Sequence, residues 1–201
     1  MPPARERPRY WKRYIAEDGT WRDDSRRPPG EDLAALRAGL GHEAGTIPAM
    51  WPFYRSAVDD RLARASKVSP EQHAEHAALA LYGLHQQTIR VPMHRPGIRL
   101  GQALRQLHAK DDGKGFSPEA VDRRVKIAAS ATRVPALLIH LRGLVSQLRT
   151  VSQPLDYDLL EQDILAWHNS ESRRRARRRW GLDYFEWSQT RDALPGDAAA
   201  R

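Results

Sequence analysis

The chain has 201 residues, 40% of them hydrophobic, and its 33 Lys and Arg against 25 Asp and Glu leave a formal charge of +8. That length accommodates one large core or two small helical lobes, and the basic balance favours a polyanionic partner. The absence of cysteine excludes disulfides and thiolate metal sites and fits a reducing cytosol. The basic N-terminus leads into no apolar h-region and no stretch approaches the ~20 apolar residues of a membrane span, so a cytoplasmic protein without membrane contact is expected.

Apolar residues recur at three and four, and alternating or β-branched runs are nearly absent. The fold class is therefore all-α, with eight or nine helices in two helical bundles. A first helix carries Trp11, Tyr14 and Ile15 on one face. After Pro28-Pro29-Gly30 comes a short helix with Leu33, Leu36 and Leu40, ended by Gly41. Pro48 starts a helix with Trp51, Tyr54, Val58 and Leu62 inward. Ser69-Pro70-Glu71 supplies an N-cap, a first-turn proline and an acid, and the helix it opens buries Ala77, Ala80, Leu81 and Leu84. Pro92 and Pro96 prevent that helix from continuing through Arg90–Gly97.

A short helix through Leu100, Leu104 and Leu107 completes an N-terminal lobe, residues 1–110, and the polar, glycine-bearing segment from His108 to Gly115 is the lobe boundary. The C-terminal bundle, 116–192, opens at Ser117-Pro118-Glu119 with Val121, Val125 and Ala128 inward. It continues from Pro135 with Leu137, Leu141, Leu144 and Leu148 inward, then with a helix marked by Leu159, Leu160, Ile164 and Trp167. The last helix sets Trp180, Tyr184 and Trp187 on one face. Residues 193–201 are small and polar and are expected to be a disordered tail.

Signs of catalysis are missing. Gly113-Lys114-Gly115-Phe116 does not supply a Walker-type phosphate loop, and no Gly-x-Ser-x-Gly elbow exists. His73 and His76, three apart on one helix, lack a His-Glu-x-x-His pattern and read as packing or surface residues. Asp156, Asp158, Glu161 and Asp163 have the residue type of a magnesium nuclease, but acids also crowd first helical turns for electrostatic reasons, which is the better reading. The chain is read as no enzyme, with no cofactor and no metal.

Basic residues need only share an accessible surface to attract a phosphate backbone. Arg142 and Arg149, seven apart, flank the leucine stripe of their helix; Arg123 and Lys126 point away from Val121 and Val125, with Arg124 at the edge. The run Arg173, Arg174, Arg175, Arg177, Arg178 and Arg179 is spread around most of a helix. Arg173 and Arg177 fall on the aromatic side, where acids such as Asp163 are expected partners, while Arg174/Arg178 and Arg175/Arg179 are left for backbone contact. By itself the run fits a solvated face and a nucleic-acid surface equally. Of six tryptophans, Trp51, Trp167, Trp180 and Trp187 coincide with apolar stripes, which leaves Trp11 and Trp21 less constrained and available for base stacking.

Several segments, in order, resemble one family. These are Asp32-Leu33-Ala34-Ala35-Leu36-Arg37-Ala38-Gly39-Leu40-Gly41, Gly97-Ile98-Arg99-Leu100-Gly101-Gln102-Ala103-Leu104 and Val121-Asp122-Arg123-Arg124-Val125. Leu137 to Leu148 with Leu141-Arg142 inside it follows, then Leu155-Asp156-Tyr157, Leu160 to Trp167, and Arg177-Arg178-Arg179-Trp180-Gly181-Leu182-Asp183-Tyr184-Phe185. The chain is similar to the CasB-type small subunit of the type I-E CRISPR Cascade complex over nearly its whole length; the proline-rich first 28 residues and the dense arginine run depart from the family.

The resemblance implies a non-catalytic subunit of an antiviral, guide-RNA surveillance complex. Its partners would be guide RNA-containing Cascade subunits, a second copy of itself, and single-stranded DNA and RNA/DNA backbone, with the displaced strand held open as an R-loop. It carries backbone contact to Arg37, Arg123, Arg124 and Arg142, and to Arg99 and Arg133, where family members vary; helical position adds Lys126, Arg149, Arg174 and Arg178. Two rivals are a helix-turn-helix regulator using Val121 to Leu148, whose second helix is too apolar for the major groove, and a helical adapter that meets only protein.

Overall fold

The computed structural model describes residues 7–23, 26–108 and 115–192, with side chains of the last helix described as far as Phe185. Among these residues the fold is all-α, as the periodicity predicts: eight α-helices and two 3-10 turns. The helices are α1 (Gly30–Ala38), α2 (Asp60–Arg64), α3 (Pro70–Gln86), α4 (Leu100–Arg105), α5 (Pro118–Ser130), α6 (Val134–Thr150), α7 (Tyr157–Trp167) and α8 (Ser170–Asp192). The expected lobe boundary falls mostly on 109–114 and the expected tail on 193–201, both outside the described residues; so does the side chain of Trp187.

α3 is the pillar of the molecule. Its start is held by a reciprocal cap in which the Gln72 amide N–H donates to Ser69 Oγ and the Ser69 N–H to Gln72 Oε1, both at 3.1 Å. Because α1, α6 and α7 all pack against it, burial extends around nearly the whole helix and includes Glu75, His76, His85 and Gln86, beyond the single stripe its sequence predicts. Leu84, assigned to that stripe, is only half-buried. Two of these buried polar groups bond to segments packed on α3: Glu75 accepts from the backbone N–H of Arg55 and of Ser56 at 2.8 Å, and His76 lies between Tyr54 Oη (2.7 Å) and the Gly39 carbonyl (2.9 Å).

Two glycines set how closely helices approach. A Cβ on Gly83 would sit 2.7 Å from Leu36 Cβ and 2.9 Å from the Leu33 carbonyl, so α1 lies directly on α3. A Cβ on Gly101 would sit 2.7 Å from the Trp180 carbonyl and 3.0 Å from the Tyr184 nitrogen, so α4 lies directly on α8. The α3–α6, α3–α7 and α4–α8 contacts join helices from both sides of 109–114 in one apolar core. His108 strengthens that junction: its Nε2 meets Tyr184 Oη at 2.7 Å and Asp122 at 3.1 Å, and its Nδ1 accepts from Arg105 at 2.8 Å. On α6 the leucines 137, 141, 144 and 148 are buried as predicted, each contributing about 1.5–3 kcal/mol of apolar transfer.

Two expected helices are different objects. The N-terminal one is a single 3-10 turn, Trp11–Arg13, and Trp11 is not free for stacking: it is 1% exposed, its indole N–H donates to Asp158 Oδ1 at 2.8 Å, and it touches the rings of Tyr82, Tyr157 and His94. Trp21 is partly buried, with its indole N–H on the Arg90 carbonyl. The segment from Pro48 is a 3-10 turn through Phe53 containing Pro52, which has no N–H for an α-helical bond. Three residues per turn bury Met50 and Phe53 in place of the predicted stripe; Trp51 is 60% exposed, with its indole N–H on the Gly45 carbonyl, and Val58 is exposed as well.

Candidate nucleic-acid interface

α5 and α6 present cations with little competition. Val121 and Ala128 turn into the core, Arg123 and Lys126 are exposed on the opposite side of α5, and Arg124 is exposed at the edge of the buried face. Arg133, the residue before α6, and Arg142 on α6 are exposed too. From Arg123 to Leu155 the sequence has five arginines and a lysine but no Asp or Glu. That acid-free stretch is a signal the sequence carried and position-by-position reading missed.

α5 and α6 pack together, so these residues belong to neighbouring helices. Arg142 also edges a groove of about 590 Å³ that runs along α3 between the Gly39–Glu43 loop and Leu138 and Ile139 of α6. α6 is packed on α3, α5 and α4, and the one arginine among its exposed positions is Arg142, which leaves little for a major-groove reader.

Other basic residues are less exposed. Arg149 donates to the Gln87 carbonyl (3.1 Å) and to Thr88 Oγ1 (2.8 Å), closing the C-terminus of α3. Arg37 is half-buried in the last turn of α1; Arg99, also half-buried, precedes α4 and acts electrostatically on Asp163.

The arginine run of α8 is divided. Arg173 donates to the Thr132 carbonyl at 2.8 Å, and Arg177 donates to the Ala131 carbonyl at 3.3 Å while lying over the Trp167 ring. Neither pairs with Asp163, contrary to expectation. Asp163 instead accepts from Arg179 (2.8 Å) and the Trp180 indole (2.6 Å), because Arg179 is the arginine that faces α7. Burial raises the Asp163 pKa, opposed by those two donors. Arg175 pairs with Glu171 one turn back, whereas Arg174 and Arg178 are exposed.

The acidic cluster on α7 is committed to the fold. Asp156 caps the helix through Asp158 N (2.9 Å) and Leu159 N (3.2 Å) and also accepts from Gly97 N (2.8 Å). Asp158 binds Lys12 (2.7 Å) and Arg9 (3.3 Å), and Glu161 binds Arg9 (2.7 Å). Burial would raise the Asp158 pKa, but Lys12, Trp11 and Arg9 outweigh it and hold it below the usual range; in Glu161 burial prevails and the pKa is raised.

His94, Asp156 and Asp158 present ligand-type atoms within 4.8 Å of one another. His94 Nδ1, however, accepts from Tyr157 N at 3.1 Å, so the neutral ring carries its proton on Nε2, which then has no lone pair for a metal. Both carboxylates are already filled by protein donors. His73 and His76 behave as packing residues: His73 meets the His168 ring edge-on, and His76 has both ring nitrogens bonded.

The model of the CRISPR-associated protein Cse2 family matches residues 32–185. The chain belongs to that family. Among solved structures, this Cse2-family chain is similar to CasB from Thermobifida fusca, with 29% identity, a TM-score of 0.60, and coverage of 77% of this chain and 84% of that one. A chain of a CRISPR RNA-guided surveillance complex is similar at 26% identity and TM-score 0.58, covering 81% and 87%. M. ruber CasB shares the fold at 20% identity, TM-score 0.60, over 92% and 96%. No curated protein matches the sequence. The resemblance to CasB-type small subunits read from the sequence holds, and no described helix is long and apolar enough to cross a membrane.

Proposed function

We propose that this chain is a non-catalytic small subunit of a cytoplasmic RNA-guided surveillance complex, which it joins beside guide-RNA-bearing subunits and a second copy of itself. It holds the displaced DNA strand and so favours the open R-loop. The observation that carries this reading is the exposed set Arg123, Arg124, Lys126, Arg133 and Arg142 within a stretch that contains no acid. Similarity to a surveillance-complex chain supplies the setting.

The mechanism is electrostatic. Strand exchange in RNA-guided recognition is close to balanced, so a modest preference for the separated strand shifts it. Each phosphate neutralised releases counterions and adds about −0.7 to the slope of log affinity against log salt on a single strand. Arg123→Ala/Arg124→Ala/Arg142→Ala should flatten that slope by about 2 and cost on the order of a hundredfold in affinity near 0.1 M salt. Anisotropy titrations with a labelled oligonucleotide at several salt concentrations test this; an unchanged slope rejects the site. If the parent chain binds no nucleic acid at low salt, the adapter reading takes its place.

A further inference from the structure

The outer face of α8 combines charge with exposed apolar surface. Arg174, Arg178, Leu182 and Phe185 fall within about 80° of one another around the helix. All four are exposed, Leu182 at 48% and Phe185 at 64%. Arg174, Arg175 and Arg178 line a shallow depression of about 270 Å³ with Glu171; Glu171 engages Arg175, while Arg174 and Arg178 form no ion pair with a described residue.

Phe185 meets the Tyr184 ring edge-on at 5.2 Å, and Tyr184 is itself buried and bonded to His108 and Asp122. The exposed ring thus sits on a fixed base, about 10 Å along the helix from Arg178. A partner that matches this face carries anionic groups next to flat apolar groups. A single nucleic-acid strand does so in every nucleotide, and stacking on an aromatic ring accepts any base.

We propose that this face is a second strand-binding site, with backbone phosphates on Arg174 and Arg178 and an unpaired base stacked on Phe185 beside Leu182. The site rests on the nucleic-acid reading above and adds to it a contact with the bases themselves, independent of their sequence. It also gives α8 a role distinct from α5 and α6, which bear only on backbone.

The test compares a labelled oligothymidylate with an abasic phosphodiester strand of equal length, by anisotropy on the full chain at fixed low salt. The parent chain should bind the base-bearing strand at least about fivefold more tightly. Phe185→Ala should bring that ratio to about one without changing the salt slope, and Phe185→Trp should retain it. Arg174→Ala/Arg178→Ala should weaken both strands alike and flatten the slope. Tight, equal binding of both strands by the parent chain overturns the stacking site and leaves the electrostatic reading standing, as does a ratio unaffected by Phe185→Ala. No binding of either strand overturns both.

Discussion

α8 and the α5–α6 pair are both rich in arginine, and they spend it differently. In α8, Arg173 and Arg177 close the end of α5 through backbone carbonyls and Arg179 holds Asp163 of α7, so half of the six-arginine run braces the fold. In α5 and α6 the cations are sparser, yet Arg123, Arg124, Lys126 and Arg142 are all exposed, and no acid lies between Arg123 and Leu155 to engage them. The density of a charge run is thus a poor measure of the charge available to a ligand. What decides is whether carbonyls and carboxylates of neighbouring helices lie within reach.

The largest effect expected from breaking this contrast is on stability. Arg173→Ala/Arg177→Ala/Arg179→Ala should cost about 3 kcal/mol, since each removes a charged donor from a partly buried acceptor. For a chain of this size that lowers Tm by about 6–12 °C. The salt slope contributed by the α5–α6 surface should stay the same at temperatures where the variant is folded, and a slope loss equal to that of the Arg123/Arg124/Arg142 variant would show that the two regions are not distinct. Next in size is Gly101→Ala. Its methyl would meet backbone atoms of α8 and force α4 away, at a cost of about 1–3 kcal/mol measured by denaturant unfolding. An unchanged midpoint would mean that the α4–α8 contact is loose.

Acid separates the regions by a different route, because guanidinium groups do not titrate while the buried histidines do. Burial lowers the His85 pKa to about 3, with Arg149 adding to the shift. The unfolded chain takes up a proton on this residue below about pH 6.5, but the folded chain does not until about 3. Stability from this group is therefore full above 6.5 and declines as pH falls through that window, by about 1.4 kcal/mol at pH 5.5. Thermal melts at pH 7.5 and 5.5 measure it, and His85→Gln should reduce the difference. The smallest effect belongs to Arg175→Ala, which breaks an exposed pair with Glu171 and should change stability by less than about 0.5 kcal/mol.

Much of the helical framework was legible in the sequence. The Ser69 and Ser117 caps and the Leu137/Leu141/Leu144/Leu148 stripe all stand where local rules place them, because capping and helical periodicity are decided within a few residues. The segment from Pro48 was misread because Trp51, Tyr54, Val58 and Leu62 fit an α-helical period that Pro52 prevents from forming. Trp11 was misread because its partners, Tyr82, Tyr157 and Asp158, are remote in the chain. Exposure of the basic residues on α5 followed from the phase of Val121 and Val125, so Arg123, Arg124 and Lys126 could be placed in advance. Arg149 and Arg179 could not, since their acceptors lie 62 and 16 residues away.

Composition, capping and periodicity by themselves determined an all-α chain of basic character, and the order of its motifs pointed to the family. Which arginines are free to meet a polyanion was decided only by tertiary structure. A guanidinium is drawn to any acceptor within reach, and only the packing of α8 against α5 and α7 determines which acceptors those are.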